Sequence, residues 1–200
     1  GVCNTTVCAS ITVNVNTLSI APVSIIAGTN SICPGATTTL SVIGGNLGTS
    51  ANWQWYNGAC GGLLVGTGTT IAVNPTTTTT YFVRAEGLCN TTTCVNHTIT
   101  VETLSASPIG ATVTANNICP NSPTTLNVTG GVLGTGATWE WYQGSCGGIY
   151  VGSGNSLTVN PTASTTYFVR AQGNCNTTGC SSVSVNVIPN SIAPASVIAG

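Results

Sequence analysis

The chain has 200 residues, of which 42% are apolar and 2% charged, with ten cysteines and a formal net charge of −1. That balance leaves no basic patch to neutralise phosphates, so nucleic acid is excluded as a partner, and the apolar content is too high for a disordered chain. No uninterrupted apolar run approaches the ~18 residues of a bilayer-spanning helix, so membrane insertion is not expected.

The first residues, GVCNTTVCASITVNVNTLSIAPVSIIAG (1–28), return in altered form as GNCNTTGCSSVSVNVIPNSIAPASVIAG (173–200). Trp53 and Trp139, Cys33 and Cys119, Tyr81 and Tyr167, and Arg84 and Arg170 each stand 86 residues apart. Self-similarity at a fixed period marks a repeat architecture. The chain reads as the end of one unit (1–18, a turn and a last strand), two whole units (19–104 and 105–190), and the first strand of another (191–200). Two accounts of those ends stay open. One is a window from a longer array; the other is a subunit whose terminal strand completes a neighbour's sheet.

Within the first whole unit, short runs alternate apolar and polar residues between Pro, Gly, Asn and Thr, the pattern of half-buried strands. Strand A lies near PVSIIAG and strand B in TTTLSVIG, with Leu40 and Val42 on one face. Strand C is NWQWYN, with Trp53 and Trp55 on the core face and Gln54 and Tyr56 opposite. A short C′ strand is LLVG. Strand E, TTIAVNP, buries Ile71 and Val73; strand F, TTTYFVRAEG, buries Tyr81 and Val83; strand G, VNHTITV, buries Ile99 and Val101. The second unit repeats this order, with Trp139, Trp141 and Tyr167 in the same core positions. The fold class is all-β: tandem immunoglobulin-like antiparallel sandwiches, with tryptophan on strand C and tyrosine opening strand F.

Cysteines with no histidine beside them and no paired C-x2-C spacing indicate disulfides in an oxidising compartment rather than zinc. Immunoglobulin-like sandwiches usually join strands B and F through the core, but those positions hold Leu40 or Val42 and Val83. Cys33 precedes strand B and Cys60 follows strand C, in turns at one end of the sandwich, which gives Cys33–Cys60 and its repeat Cys119–Cys146. Cys89 and Cys94 flank the F–G turn at the other end, which gives Cys89–Cys94 with its repeats Cys3–Cys8 and Cys175–Cys180. Four cysteines allow three connectivities. The main alternative joins the lower end of one unit to the F–G turn of the next, welding the array covalently.

Arg84, on the outer face of strand F, has Glu86 two residues along as its carboxylate; Arg170 should lie across from Glu140 on strand C. Each is read as a surface pair stacked on Tyr56 or Tyr142. His97 replaces the Ile11 and Val183 of the other copies and is read as neutral variation. Asn4, Asn90, Asn96, Asn127 and Asn176 head N-x-S/T sequons and are glycosylation candidates. The chain contains neither aspartate nor lysine. A Ser-His-Asp triad, an acidic calcium cage and a Lys–Asn isopeptide staple therefore cannot be built. No enzyme activity, cofactor or metal is expected.

The combined pattern includes ICP, TTTLSV, WQWYNGACGGLLVGTG with its copy WEWYQGSCGGIYVGSG, VNPT, TTYFVRA and the CNTT-x-C turns. It resembles the tandem immunoglobulin-like repeats of large Bacteroidota surface and secreted proteins, adhesin-like or gliding-associated chains exported by the type IX system. The resemblance implies an extracellular, cell-surface location and a spacer, adhesive or filament role, and carries over no catalytic residue. The reading expected from repetition, cysteines and neutral surface is a stiff extracellular fibre or stalk. Its partner would be its own kind, through neighbouring repeats, strand exchange or lateral contacts. Two alternatives are an adhesive module binding glycan or a surface protein through its sheet faces, its F–G turns, or Tyr56, Tyr142 and Tyr150, and spacer repeats of a larger secreted enzyme.

Overall fold

The computed structural model describes Cys3 and residues 7–191. Contacts divide the chain into two units, Gly1–Val101 and Glu102–Gly200. The described residues form strands and turns with no helix.

The first unit contains β1 (Ser24–Ala27), β2 (Ser31–Ile32), β3 (Thr38–Ile43), β4 (Asn52–Asn57), β5 (Leu63–Thr67), β6 (Thr70–Val73), β7 (Thr79–Glu86) and β8 (Val95–Val101). One sheet has the order β1-β3-β6 and the other β2-β8-β7-β4-β5. These are two packed sheets of a sandwich, antiparallel except for the β2–β8 pair. The second unit has β9 (Gly110–Val113), β10 (Thr124–Thr129), β11 (Thr138–Gln143), β12 (Ile149–Ser153), β13 (Ser156–Val159), β14 (Thr165–Gln172) and β15 (Ser181–Val185), in sheets β13-β10-β9 and β12-β11-β14-β15. A single parallel bridge, Ile118 to Val187, stands where β2 stands in the first unit.

The alternation of β4 and β7 places both tryptophans and the tyrosine inside. Trp53, Trp55, Tyr81, Leu40, Val83 and Ile99 share the first core, and Trp139, Trp141, Tyr167, Leu126, Val169 and Val185 the second. Trp55 and Trp141 are wholly buried, so each indole N–H needs an acceptor. Trp55 Nε1 donates to the Gly68 carbonyl (2.8 Å) and Trp141 Nε1 to that of Gly154 (3.0 Å). Leu40 and Val83 are both fully buried; close-packed side chains fill the place of the B–F disulfide. The turn after β3 needs glycine for a packing reason as well as for its positive φ: a Cβ on Gly45 would lie 2.8 Å from the Trp53 ring, and one on Gly131 2.7 Å from Trp139.

The expected last strand within residues 1–18 is not formed among the described residues there. Val7, Ile11, Val13 and Val15 are 78–96% exposed. The corresponding sequences in the whole units are strands because β7 and β14 lie beside them. The sequon at Asn4 and all of 191–200 except Ser191 lie outside the described residues.

The cysteines pair differently from expectation. Cys60 is bonded to Cys94, with Cα atoms 6.0 Å apart, and Cys146 to Cys180, at 5.9 Å. This replaces Cys33–Cys60, Cys89–Cys94, Cys119–Cys146 and Cys175–Cys180; Cys33 and Cys175 are themselves disulfide-bonded. Cys3 and Cys8 are free, as are Cys89 and Cys119, and all four are exposed. The physical reason lies in two turns. The β4–β5 turn does not project from the end of the sandwich but folds back across the outer face of its own sheet. There Cys60 Sγ comes within 3.8 Å of Arg84 Nη1, which brings the cysteine to Cys94 at the head of β8. The β7–β8 turn is closed by hydrogen bonds rather than sulfur, from Gly87 N to Asn90 O (3.1 Å) and from Thr92 N to Ala85 O (3.0 Å). Cys89 is left exposed at its tip.

Candidate functional site

Each unit carries one arginine, on the outer face of β7 or β14. Alternation turns Arg84 away from the core, directly across from Gln54. Its guanidinium lies over the Tyr56 ring, 5.2 Å from the centroid, donates from Nε to Glu86 Oε1 (2.7 Å) and pairs with the same carboxylate through Nη2 (2.6 Å). Tyr56 OH also donates to Glu86 Oε1. The backbone of the folded-back turn covers this cluster: a Cβ on Gly61 would lie 3.2 Å from Arg84 Nη2. Positive φ at Gly61 (77°) suits only a residue without a side chain there. The expected Arg84–Glu86 pair and the stacking on Tyr56 are therefore present, under a lid held by Cys60–Cys94.

The second unit keeps the stack and loses the ion pair. Arg170 lies 4.9 Å over the Tyr142 ring and is the register partner of Glu140. The guanidinium donates instead to Gln172 Oε1 (3.1 Å) and Tyr142 OH (3.3 Å), while Glu140 accepts from the Thr138 hydroxyl (2.8 Å). Gln172 occupies the Glu86 position and Tyr142 donates to it (3.2 Å), so an amide carbonyl does the work of the carboxylate. Tyr56 and Tyr142 are both 7% exposed. They are floor beneath an arginine and not platforms for a sugar; Tyr150, 55% exposed and edge-on to Tyr142 at 5.9 Å, stays open.

The Tyr56 hydroxyl and Glu86 bias one another. Burial, reinforced by the hydrogen bond to Glu86, raises the Tyr56 pKa; the hydrogen bond from Tyr56, reinforced by Arg84, lowers that of Glu86. A lowered carboxylate contributes stability that is complete above its unfolded pKa and is lost as pH falls through the folded value. The first unit is therefore expected to lose up to about 1 kcal/mol on acidification below the ordinary glutamate range, the scale of a solvent-screened pair. Thermal unfolding from pH 7 to pH 3 checks this: Glu86→Gln should flatten the acid limb and leave the Gln172-bearing second unit unchanged.

A second constellation went unrecognised in the sequence. The Asn90 carboxamide clamps the backbone of Ser19, accepting from its N–H (2.8 Å) and donating to its carbonyl (2.9 Å). Asn176 does the same to Ser105, at 2.9 Å for both bonds. Ser19 Oγ accepts from Gly48 N and Ser105 Oγ from Gly134 N, each at 2.9 Å. A Cβ on Gly48 or Gly134 would lie 2.3 Å from the carbonyl of Thr17 or Thr103. These bonds dock the start of each unit onto its own β7–β8 or β14–β15 turn. They also give Asn90 and Asn176 a role other than as sugar acceptors, whereas Asn96 is exposed on β8 and Asn127 half-buried on β10. Asn176→Ala should destabilise the second unit by about 1–3 kcal/mol through two lost bonds and a part-buried backbone left unpaired, measured as a shift in the urea midpoint. His97 accounts for itself locally, with Nε2 2.9 Å from Asn30 Oδ1.

The sequence matches the family described as "Ig-like domain CHU_C associated" at residues 20–103 and again at 106–189. The chain belongs to this family. No curated protein sequence matches it. Among solved structures, the immunoglobulin domains 1–5 of Sidekick-1 are similar at TM-score 0.50 and 13% identity, over 86% of this chain and 40% of that one. Murine CEACAM1b follows at 0.48 and 14%, over 84% and 99%. The three N-terminal domains of the bacteriophage RB49 outer capsid protein Hoc give 0.41 and 13%, over 84% and 59%. Identities this low speak for the fold alone: this CHU_C-associated chain is a tandem of immunoglobulin-like domains stapled by disulfides, and no catalytic family is matched.

Proposed function

We propose that this pair of immunoglobulin-like domains is part of an extracellular structural fibre or stalk on the surface of a bacterium of the Bacteroidota type. The observation that carries this reading is the closed outer face. In each unit the arginine that could have met a ligand is covered by a disulfide-held turn and bonded within the domain. A molecule that engages its arginines within each domain and repeats its core is suited to bearing load and occupying length. The disulfides fit an oxidising compartment outside the cytoplasm. Imaging of native material tests the reading. Continuous filaments with an axial repeat of one domain support it; dispersed two-domain molecules bound to a partner count against it.

An adhesive role is the second reading, favoured by the exposed apolar strip of Leu63 and Leu64 on β5 and of Ile149 and Tyr150 on β12. Binding to glycans or a surface protein that is lost in Tyr150→Ala would support it.

A further inference from the structure

Two of the four cysteines of each unit close it internally; the other two lie at its opposite ends. Cys89 precedes Asn90, which clamps Ser19, where the chain enters the first unit. Cys119 follows Ile118, which bonds the chain as it leaves the second: Ile118 N donates to Asn186 O (3.0 Å) and Ile188 N to Ile118 O (2.9 Å). The same placement recurs at Cys33, which follows Ile32 beside Val101 at the end of β8. A seven-residue strand separates the leading-end cysteine of a unit from its trailing-end cysteine. That is a span of about 20 Å, against the ~7 Å a disulfide allows between Cα atoms, so the two cannot close on each other. The repeat equivalents Cys33 and Cys175 are disulfide-bonded, whereas Cys89 and Cys119 are free and exposed.

We propose that Cys119 and Cys89 are the two halves of a repeat-to-repeat disulfide, the trailing-end thiol of one copy joining the leading-end thiol of a further copy, so that the repeats are linked end to end by covalent bonds. This rests on the fibre reading and names its joint. The partner is a second copy of the repeat, whose leading end necessarily follows a trailing end wherever units succeed one another. The oxidant is a small-molecule disulfide such as oxidised glutathione. One thiolate attacks it and releases one glutathione thiol; the second thiolate attacks the resulting mixed disulfide and releases the other. Two thiols thus become one S–S bond, and their two protons and two electrons leave on two reduced glutathione molecules.

The test uses the 200-residue chain carrying Cys3→Ser and Cys8→Ser, incubated in a glutathione redox buffer and examined by non-reducing electrophoresis and peptic peptide mapping. A ladder of covalent multimers joined by Cys89–Cys119 peptides is expected. Cys119→Ser or Cys89→Ser should abolish every species above the dimer while leaving far-UV circular dichroism unchanged. A statistical mixture of Cys89–Cys89, Cys119–Cys119 and Cys89–Cys119 links, or glutathione adducts without multimers, would overturn the proposal. Filaments of normal length assembled from the double variant C89S/C119S would also overturn it, and would leave the fibre reading standing.

Discussion

Trp55→Ala should unfold the first unit under conditions in which the second stays intact. The indole is wholly buried at the centre of one core, and truncating a buried aromatic to alanine costs about 3–5 kcal/mol. Its N–H also leaves the Gly68 carbonyl without its donor, a further ~1 kcal/mol. Small domains have only about 5–15 kcal/mol in total, so most of the unit's stability is lost. Hydrogen exchange resolved by peptide should show the amides of β3, β4, β7 and β8 exchanging rapidly while those of β10, β11, β14 and β15 keep their protection. Trp55→Phe separates the two contributions, keeping most of the packing and losing the hydrogen bond. Trp141→Ala should give the mirror result.

The second large effect belongs to the staple across the outer face. Cys60 and Cys94 are 34 residues apart, and closing a loop of that length restricts the unfolded chain by about 4 kcal/mol on the entropy model. Cys60→Ser with Cys94→Ser should lower the stability of the first unit by roughly that amount. It should also release the turn from Arg84, seen as faster exchange at residues 58–62. Peptide mapping of non-reduced protein provides the direct check: Cys60–Cys94 and Cys146–Cys180 peptides are expected, and a Cys33–Cys60 peptide would contradict the arrangement.

Within the two whole units, strands were legible in the sequence where a run alternates over four or more residues between glycine and proline breaks. Residues 38–43, 52–57, 79–86 and 95–101 are strands for the reason their pattern gives, the burial of one face. Two residues cannot alternate, so Ser31–Ile32 carried no signal; it is a strand because it lies beside the end of β8. Residues 7–18 carry the alternating pattern and form no strand, since pairing is a property of the neighbour as much as of the segment. The disulfides escaped for a similar reason. Sequence places a turn at 58–62 but does not say whether it extends the sheet or folds over it. The Arg84 contacts that decide the matter are three-dimensional. The asparagine clamp did leave a trace. Ser19 and Ser105, Gly48 and Gly134, and Asn90 and Asn176 all recur at the repeat spacing, yet the sequon reading of the asparagines hid their shared role.

If the domains are load-bearing links closed by internal disulfides, stretching single molecules reads that closure most directly. Each domain should unfold at a distinct force peak, and the length it releases should be short by the locked segment between its bonded cysteines. In the chain carrying Cys33→Ser and Cys175→Ser, which keeps the two internal bonds that each lock 34 residues, every step should lengthen by about 110–120 Å once a reductant is added, at ~3.3–3.6 Å per residue. Full-length steps in the absence of reductant, or extension with no force peaks at all, would contradict the account.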